Sequence, residues 1–264
     1  MSLPTFLYKY RKVDADKIES AQLDKDFSIK ALFECEAYLS SRLAFNDLFD
    51  SKVKFIHPKP EQILALPQTT AQLQAIPNLL ELVSDGQLTQ EGNKFIRDFE
   101  DSLVVLLDSY PFYCLSKNGK SNLMWSHYAD SHKGFCIEFK TEYLKADRVE
   151  YQMEIPEIEL IDFLNHKTQK DFSKKIWDAL RTKLEEWKYE DEYRFQPGNA
   201  MPFRKLPKGE KCAPIKYDAT WVESIIFGCR MPKVVKKYIT TNIPFDVKFK
   251  QAIELDSSID IVDY

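Results

Sequence analysis

Glycine is scarce in this chain: seven in 264 residues, about 3% where roughly 7% is usual. Neither G-x-G-x-x-G nor G-x-x-x-x-G-K-[ST] occurs, so the two common phosphate-cradling loops are absent. No C-x-x-C pair is present. The five cysteines (Cys35, Cys114, Cys136, Cys212, Cys229) lie far apart, and an odd number of scattered thiols fits a reducing compartment better than a disulfide framework. No apolar run approaches the ~20 residues of a membrane-spanning helix. The opening MSLPTFLYKYRK has no cleavage-like site, so no signal peptide is read and a cytoplasmic location is expected. An excess of positive charge is missing too. The net charge of −4 argues against bulk, nonspecific binding to nucleic acid or anionic membrane, though local patches remain open.

What is present is the composition of a folded protein: 44% apolar, 30% charged, 13% aromatic, with length enough for a sizeable core. Strands are read at Phe6–Val13, Glu36–Ser41, Phe112–Ser116, Phe135–Phe139, near Arg148–Met153, at Ile215–Tyr217, at Trp221–Gly228 and in VKFKQAIEL. From Pro58 to Leu107 the apolar spacing becomes helical, broken by Pro67, Pro77 and Gly86, which predicts a helical insertion. Leu123–His132 reads as one short helix stopped by Gly134. Lys167–Trp187 reads as a long one, with Trp177, Leu180, Leu184 and Trp187 on one stripe. A Pro- and Lys-rich loop covers 197–214, and a further helix begins near Pro232. The expectation is a single α+β domain over 1–264, a twisted, mostly antiparallel sheet with the helical insertion at 58–107.

Four stretches could carry chemistry. In W187-K-Y-E-D-E-Y-R-F195, strand alternation would put Glu190, Glu192 and Arg194 on one face and Tyr189, Tyr193 and Phe195 on the other, with Asp191 the exception. Such a face is either wet or the wall of a cleft in which two carboxylates flank a glycosidic bond. In W125-S-H-Y-A-D-S-H132, helical spacing joins Trp125, Tyr128 and His132, either as core packing or as a wall facing a ligand. His127 and His132 are five apart, which does not suit a zinc pair. Cys114, Ser116 and His127 lack the G-x-S-x-G setting of a nucleophile. On the first strand, Arg11 is either a surface charge or a fork for a phosphate.

The blocks LYKYR, FNDLFD, CLS, MWSHYADSHKGFCIEF, K183-x-x-x-W187-x-Y-E-x-E-Y-R194 and IIFG resemble a bacterial family known only as a domain of unknown function, over about 6–240 with 58–107 skipped. A second resemblance is to R-S-E type ADP-ribosyltransferases: arginine on the first strand, serine ending a central strand, E-x-E on a later one. It implies that Arg11 holds the phosphates or ribose of NAD and that Ser116 supports the nicotinamide pocket. Glu192 would stabilise the oxocarbenium-like transition state and Glu190 would deprotonate or orient the acceptor. Tyr128 would stack on nicotinamide, with His132 beside it. The usual S-T-S is here C114-L-S-K117. The resemblance implies NAD as substrate, a protein or nucleic-acid acceptor, no resident metal, and a role that would suit a toxin or phage defence. Two rivals stand beside it. One is a binding module using R204-K-L-P-K-G-E-K211 and P232-K-V-V-K-K237; the other is a metal-dependent nuclease using Glu190, Glu192 and Asp130.

Overall fold

The computed structural model describes residues 3–67, 81–196, 206–207 and 209–264. Eight strands form one central sheet: β1 (Phe6–Arg11), β2 (Tyr113–Ser116), β3 (Phe135–Lys140), β4 (Ala146–Arg148), β5 (Glu192–Phe195), β6 (Val222–Phe227), β7 (Lys248–Glu254) and β8 (Ile259–Asp263). Their order is β8-β7-β6-β3-β1-β2-β5-β4, antiparallel throughout except for the β6–β7 pair. The α+β expectation holds, with a mixed, mostly antiparallel sheet.

Period-2 apolar residues send one sheet face into a core built from Leu7, Tyr113, Leu115, Ile137, Phe139, Tyr193, Phe195 and Ile225. The Phe27–Phe33 helix, capped by Asp26, and the Lys233–Asn242 helix cover that face. The other face carries Tyr10, Cys136 and Ile226 under Trp125 of the Asn122–Tyr128 helix.

Within 58–107 the described residues form a Pro60–Leu64 helix, a tight Val83–Ser84/Gln87–Leu88 hairpin and a Gln90–Asp108 helix; 68–80 lie outside them. Ile63, Ile96, Leu103 and Leu107 pack in the same cluster as Leu160, Phe163, Ile176 and Leu180 from later helices, so this stretch shares its core with the rest of the chain. Most of the 197–214 loop also lies outside the described residues, including part of the Arg204–Lys211 stretch.

Two helices end earlier than their spacing predicts. The Lys167–Trp187 pattern is helical only at Gln169–Ala179. Thr182–Leu184 then pairs in parallel with Glu150–Gln152, and Glu185–Glu190 is a 3-10 turn. Tertiary pairing overrides propensity here: Thr182–Leu184 joins Glu150–Gln152, and Thr182 and Lys183 are buried. The WSHY helix stops at Tyr128, before Gly134. Asp130, Ser131 and His132 take successive left-handed conformations (φ 46, 50 and 70°). Gly134 serves a close approach instead, since a Cβ there would lie 2.0 Å from the Arg11 carbonyl oxygen.

Candidate functional site

Register aligns Tyr8 (β1) with Ser116 (β2) and Ser116 with Glu192 (β5), so three neighbouring strands present these residues in one row across the sheet. β1 and β2 share only that one register pair. Beside it the Lys9 ammonium donates to the Cys114 carbonyl at 2.8 Å. Above the row lies a cavity of about 150 Å³, whose walls include Tyr8, Lys9, Phe45, Phe112, Ser116, Tyr128, Lys183, Glu190 and Glu192. A volume of ~150 Å³ is what an engineered cavity needs to take up one benzene.

The Glu190–Phe195 stretch is not a uniform strand. Glu190 ends the 3-10 turn, Asp191 adopts φ 40°, and the strand begins at Glu192. Aspartate tolerates this left-handed geometry better than most residues, and Asp191 pairs with Arg148 at 2.9 Å. Nor is the charged side wet: Glu190, Glu192 and Arg194 are 4%, 3% and 0% exposed. Tyr193 and Phe195 enter the core as expected, whereas Tyr189 is half-buried against Trp187 and His127.

Such burial requires partners. Arg194 donates from Nε to Glu192 Oε1 (2.8 Å), from Nη2 to both Asp50 oxygens (2.8 Å each), and from Nη1 to Ser51 Oγ (2.6 Å) and the Leu180 carbonyl. Its guanidinium lies 4.5 Å from the Phe112 ring centroid. Lys183 Nζ donates to Glu190 Oε2 (2.6 Å) and Glu192 Oε2 (3.1 Å) and stands 3.3 Å from Asp50 Oδ2. Tyr128 donates to Glu190 Oε1 at 2.5 Å. Ser116 Oγ donates to the Glu190 carbonyl at 2.6 Å and accepts from Asn118 N–H at 3.1 Å, pinning the turn that carries Glu190.

Two neighbouring carboxylates thereby acquire opposite proton affinities. Burial raises that of Glu190, with the Glu192 charge adding to it and Lys183 only partly opposing. Burial alone would raise that of Glu192 as well, but Arg194 and then Lys183 outweigh it and hold the carboxyl far below its ordinary range. Burial also pushes Cys114 well up, which keeps it a thiol and removes it as a nucleophile.

Of the residues singled out from sequence, Glu190, Glu192, Ser116 and Tyr128 meet at this cavity. Tyr128 is committed through its hydroxyl to Glu190, so its role is to hold a carboxylate. Arg11 does not line the cavity; its guanidinium sits over the Phe27 ring at 5.7 Å, and Lys9, two residues earlier, is the first-strand cation that reaches the site. His132 is also elsewhere. It is buried, stacked on Trp125 with centroids 6.5 Å apart, and borders a separate pocket with Cys229, Arg230 and Glu254, because the left-handed turn rotates it off the Tyr128 face. Sequence reasoning assigned no role to Asp50, Lys183 or Lys9, although each falls in a block quoted above (FNDLFD, K183-x-x-x-W187, LYKYR).

No curated protein and no solved structure matches the chain. A family model described as "Protein of unknown function (DUF2971)" matches residues 124–195, a span that holds Tyr128, Lys183, Glu190, Glu192 and Arg194 and ends with β5. A DUF2971 domain is therefore found at 124–195, where most of the charged wall of the cavity originates.

Proposed function

We propose that the protein breaks the nicotinamide–ribose bond of NAD and transfers ADP-ribose to a protein or nucleic-acid acceptor. One observation carries this reading: Glu190 and Glu192 share Lys183 and one cavity, yet their surroundings drive their proton affinities apart. That division assigns roles to paired carboxylates. Glu192, locked by Arg194 and kept ionised, stabilises positive charge at the ribose C1 as the C–N electron pair leaves with nicotinamide. Glu190 takes the acceptor's proton as the acceptor bonds to C1. A cavity with room for one ring suits the leaving nicotinamide, with the rest of the dinucleotide outside it.

The rival readings lack a comparable observation. Asp130 is exposed in the turn after the WSHY helix, and it is Asp50 that joins Glu190 and Glu192, with these carboxylates engaged by Lys183 and Arg194. Among the described residues no group of three or more His, Cys, Asp or Glu could hold a metal. In the Pro232–Lys237 stretch, Lys236 is bound to Gln251 and Lys233 and Lys237 are exposed, the arrangement of a solvated helix face.

The test is nicotinamide release from NAD by the purified chain beside Glu192→Gln, with cell lysate supplying acceptors. Release that falls by about 100-fold or more in the variant is expected, the scale for loss of a preorganised electrostatic group. Release equal in both proteins, or absent from both with no thermal shift on NAD addition, overturns the reading.

A further inference from the structure

Two cations line the cavity, Lys9 and Lys183, and their situations differ. Lys183 meets three carboxylates. Lys9 meets none: among the described residues no Asp or Glu oxygen comes within 4.0 Å of its Nζ. One of its three N–H donors goes to the Cys114 carbonyl, and the ammonium rests 4.5 Å from the Tyr113 ring centroid. Among the described residues the other two donors have no protein acceptor within hydrogen-bond distance. Burial lowers the proton affinity of Lys9; Cys114, Glu192 and Glu190 oppose this in part, and Arg11, two residues along the strand, adds to it.

The charges around it explain what is missing. Asp50 and Glu192 are balanced by Arg194 and Lys183. Glu190, whose proton affinity is raised, is the carboxylate that most readily goes neutral. Glu190 itself is engaged by Lys183 through Oε2 and by Tyr128 through Oε1, which leaves Lys9 as the cavity cation with no carboxylate partner among the described residues. A partly buried ammonium with free donors is stabilised by an acceptor that arrives with a ligand.

We infer that Lys9 is the anion receptor of this cavity, and that a ligand seated there presents a carboxylate or phosphate oxygen to its two unused N–H donors. The cavity's size limits what accompanies that oxygen to about one ring. This assignment rests on the lining of the cavity and not on NAD cleavage; an anion seated there would compete with nicotinamide for the same space, so the two readings fail separately.

The experiment titrates the full chain calorimetrically with benzoate and with inorganic phosphate, at constant ionic strength set by chloride. Lys9→Met and Arg11→Met are titrated in parallel, each checked for fold by circular dichroism. Saturable binding of one anion is expected, weakened about tenfold or more in Lys9→Met, the scale for one charged hydrogen bond, and little changed in Arg11→Met. Benzoate binding alone would assign a ring carboxylate; phosphate binding alone would assign a phosphoryl group. Reductive methylation of the native protein, read at Lys9 by mass spectrometry, should slow when the bound anion is present, and this readout serves if Lys9→Met does not fold. No binding of either anion, equal binding by Lys9→Met, or unprotected methylation of Lys9 overturns the inference.

Discussion

The central sheet buries charge in two places, and the two are built differently. On β3, Glu138 is a single carboxylate 3% exposed, with the donors Tyr8 (3.0 Å), Ser224 (2.5 Å) and Lys250 (2.6 Å) reaching it from β1, β6 and β7. One anion meets one cation and two hydroxyls, and Glu138 lines no part of the cavity. Around Lys183 there are three carboxylates for two cations, and the cluster forms a cavity wall. The first arrangement satisfies a buried group. In the second, Glu190 and Glu192 are driven to opposite proton affinities. Tyr8 touches both: its hydroxyl serves Glu138 while its side chain lines the cavity. Burial of one charge among matched partners satisfies it, while burial of several carboxylates around shared cations pulls their proton affinities apart.

The largest expected effect comes from Arg194→Met. It strands Asp50 and Glu192 in a dry interior, a change worth about 3–5 kcal/mol. Thermal unfolding should show a loss of that size. A variant as stable as the parent would mean that the cluster is hydrated and that the contrast with Glu138 is overdrawn.

A smaller effect concerns pH. Glu192 has a depressed folded-state affinity, so its contribution to stability is full above the ordinary glutamate range and is lost as pH falls through and below about 4.3. Denaturant midpoints measured from pH 7 to pH 3 should drop more steeply for the parent than for Glu192→Gln, the two converging in acid. Parallel curves would refute the assigned ionisation.

The smallest effect is expected for Tyr8→Phe, which removes one hydrogen bond to Glu138 while keeping the ring. Stability should fall by about 1.5 kcal/mol, the low end for a hydrogen bond to a charged group because Ser224 and Lys250 still serve Glu138, with anion binding and any nicotinamide release unchanged. A large loss of either activity would show that the two clusters are coupled through Tyr8.

Much of the sheet was legible because strand patterning is local. FLYKYR, FCIEF and VESIIF alternate or run apolar over a few residues, and each became a strand of the central sheet. E-x-E was also legible as a pair of chemical interest, though for an incomplete reason. Alternation predicts a shared face, whereas the two carboxylates converge because Asp191 turns left-handed between a 3-10 turn and a strand. The Gln169–Ala179 helix was over-extended, since the pattern through Leu184 and Trp187 still fits helical spacing and nothing local announces the strand that buries Lys183. His132 was misplaced by three consecutive left-handed residues without a glycine among them. The pairing of Asp50 with Arg194 was invisible: it spans 144 positions, and an aspartate in a loop has many more common fates than a bidentate contact.

By itself the sequence determined the α+β class, most but not all of the central strands and the residue types able to do carboxylate chemistry, because hydrophobic periodicity and side-chain inventory are properties of short segments. Only the tertiary structure decided which charges are buried together, in which direction each carboxylate's proton affinity moves and which cavity lysine has no carboxylate partner among the described residues. Proton affinity depends on desolvation and on charges within a few ångströms, and folding brings those neighbours from distant parts of the chain.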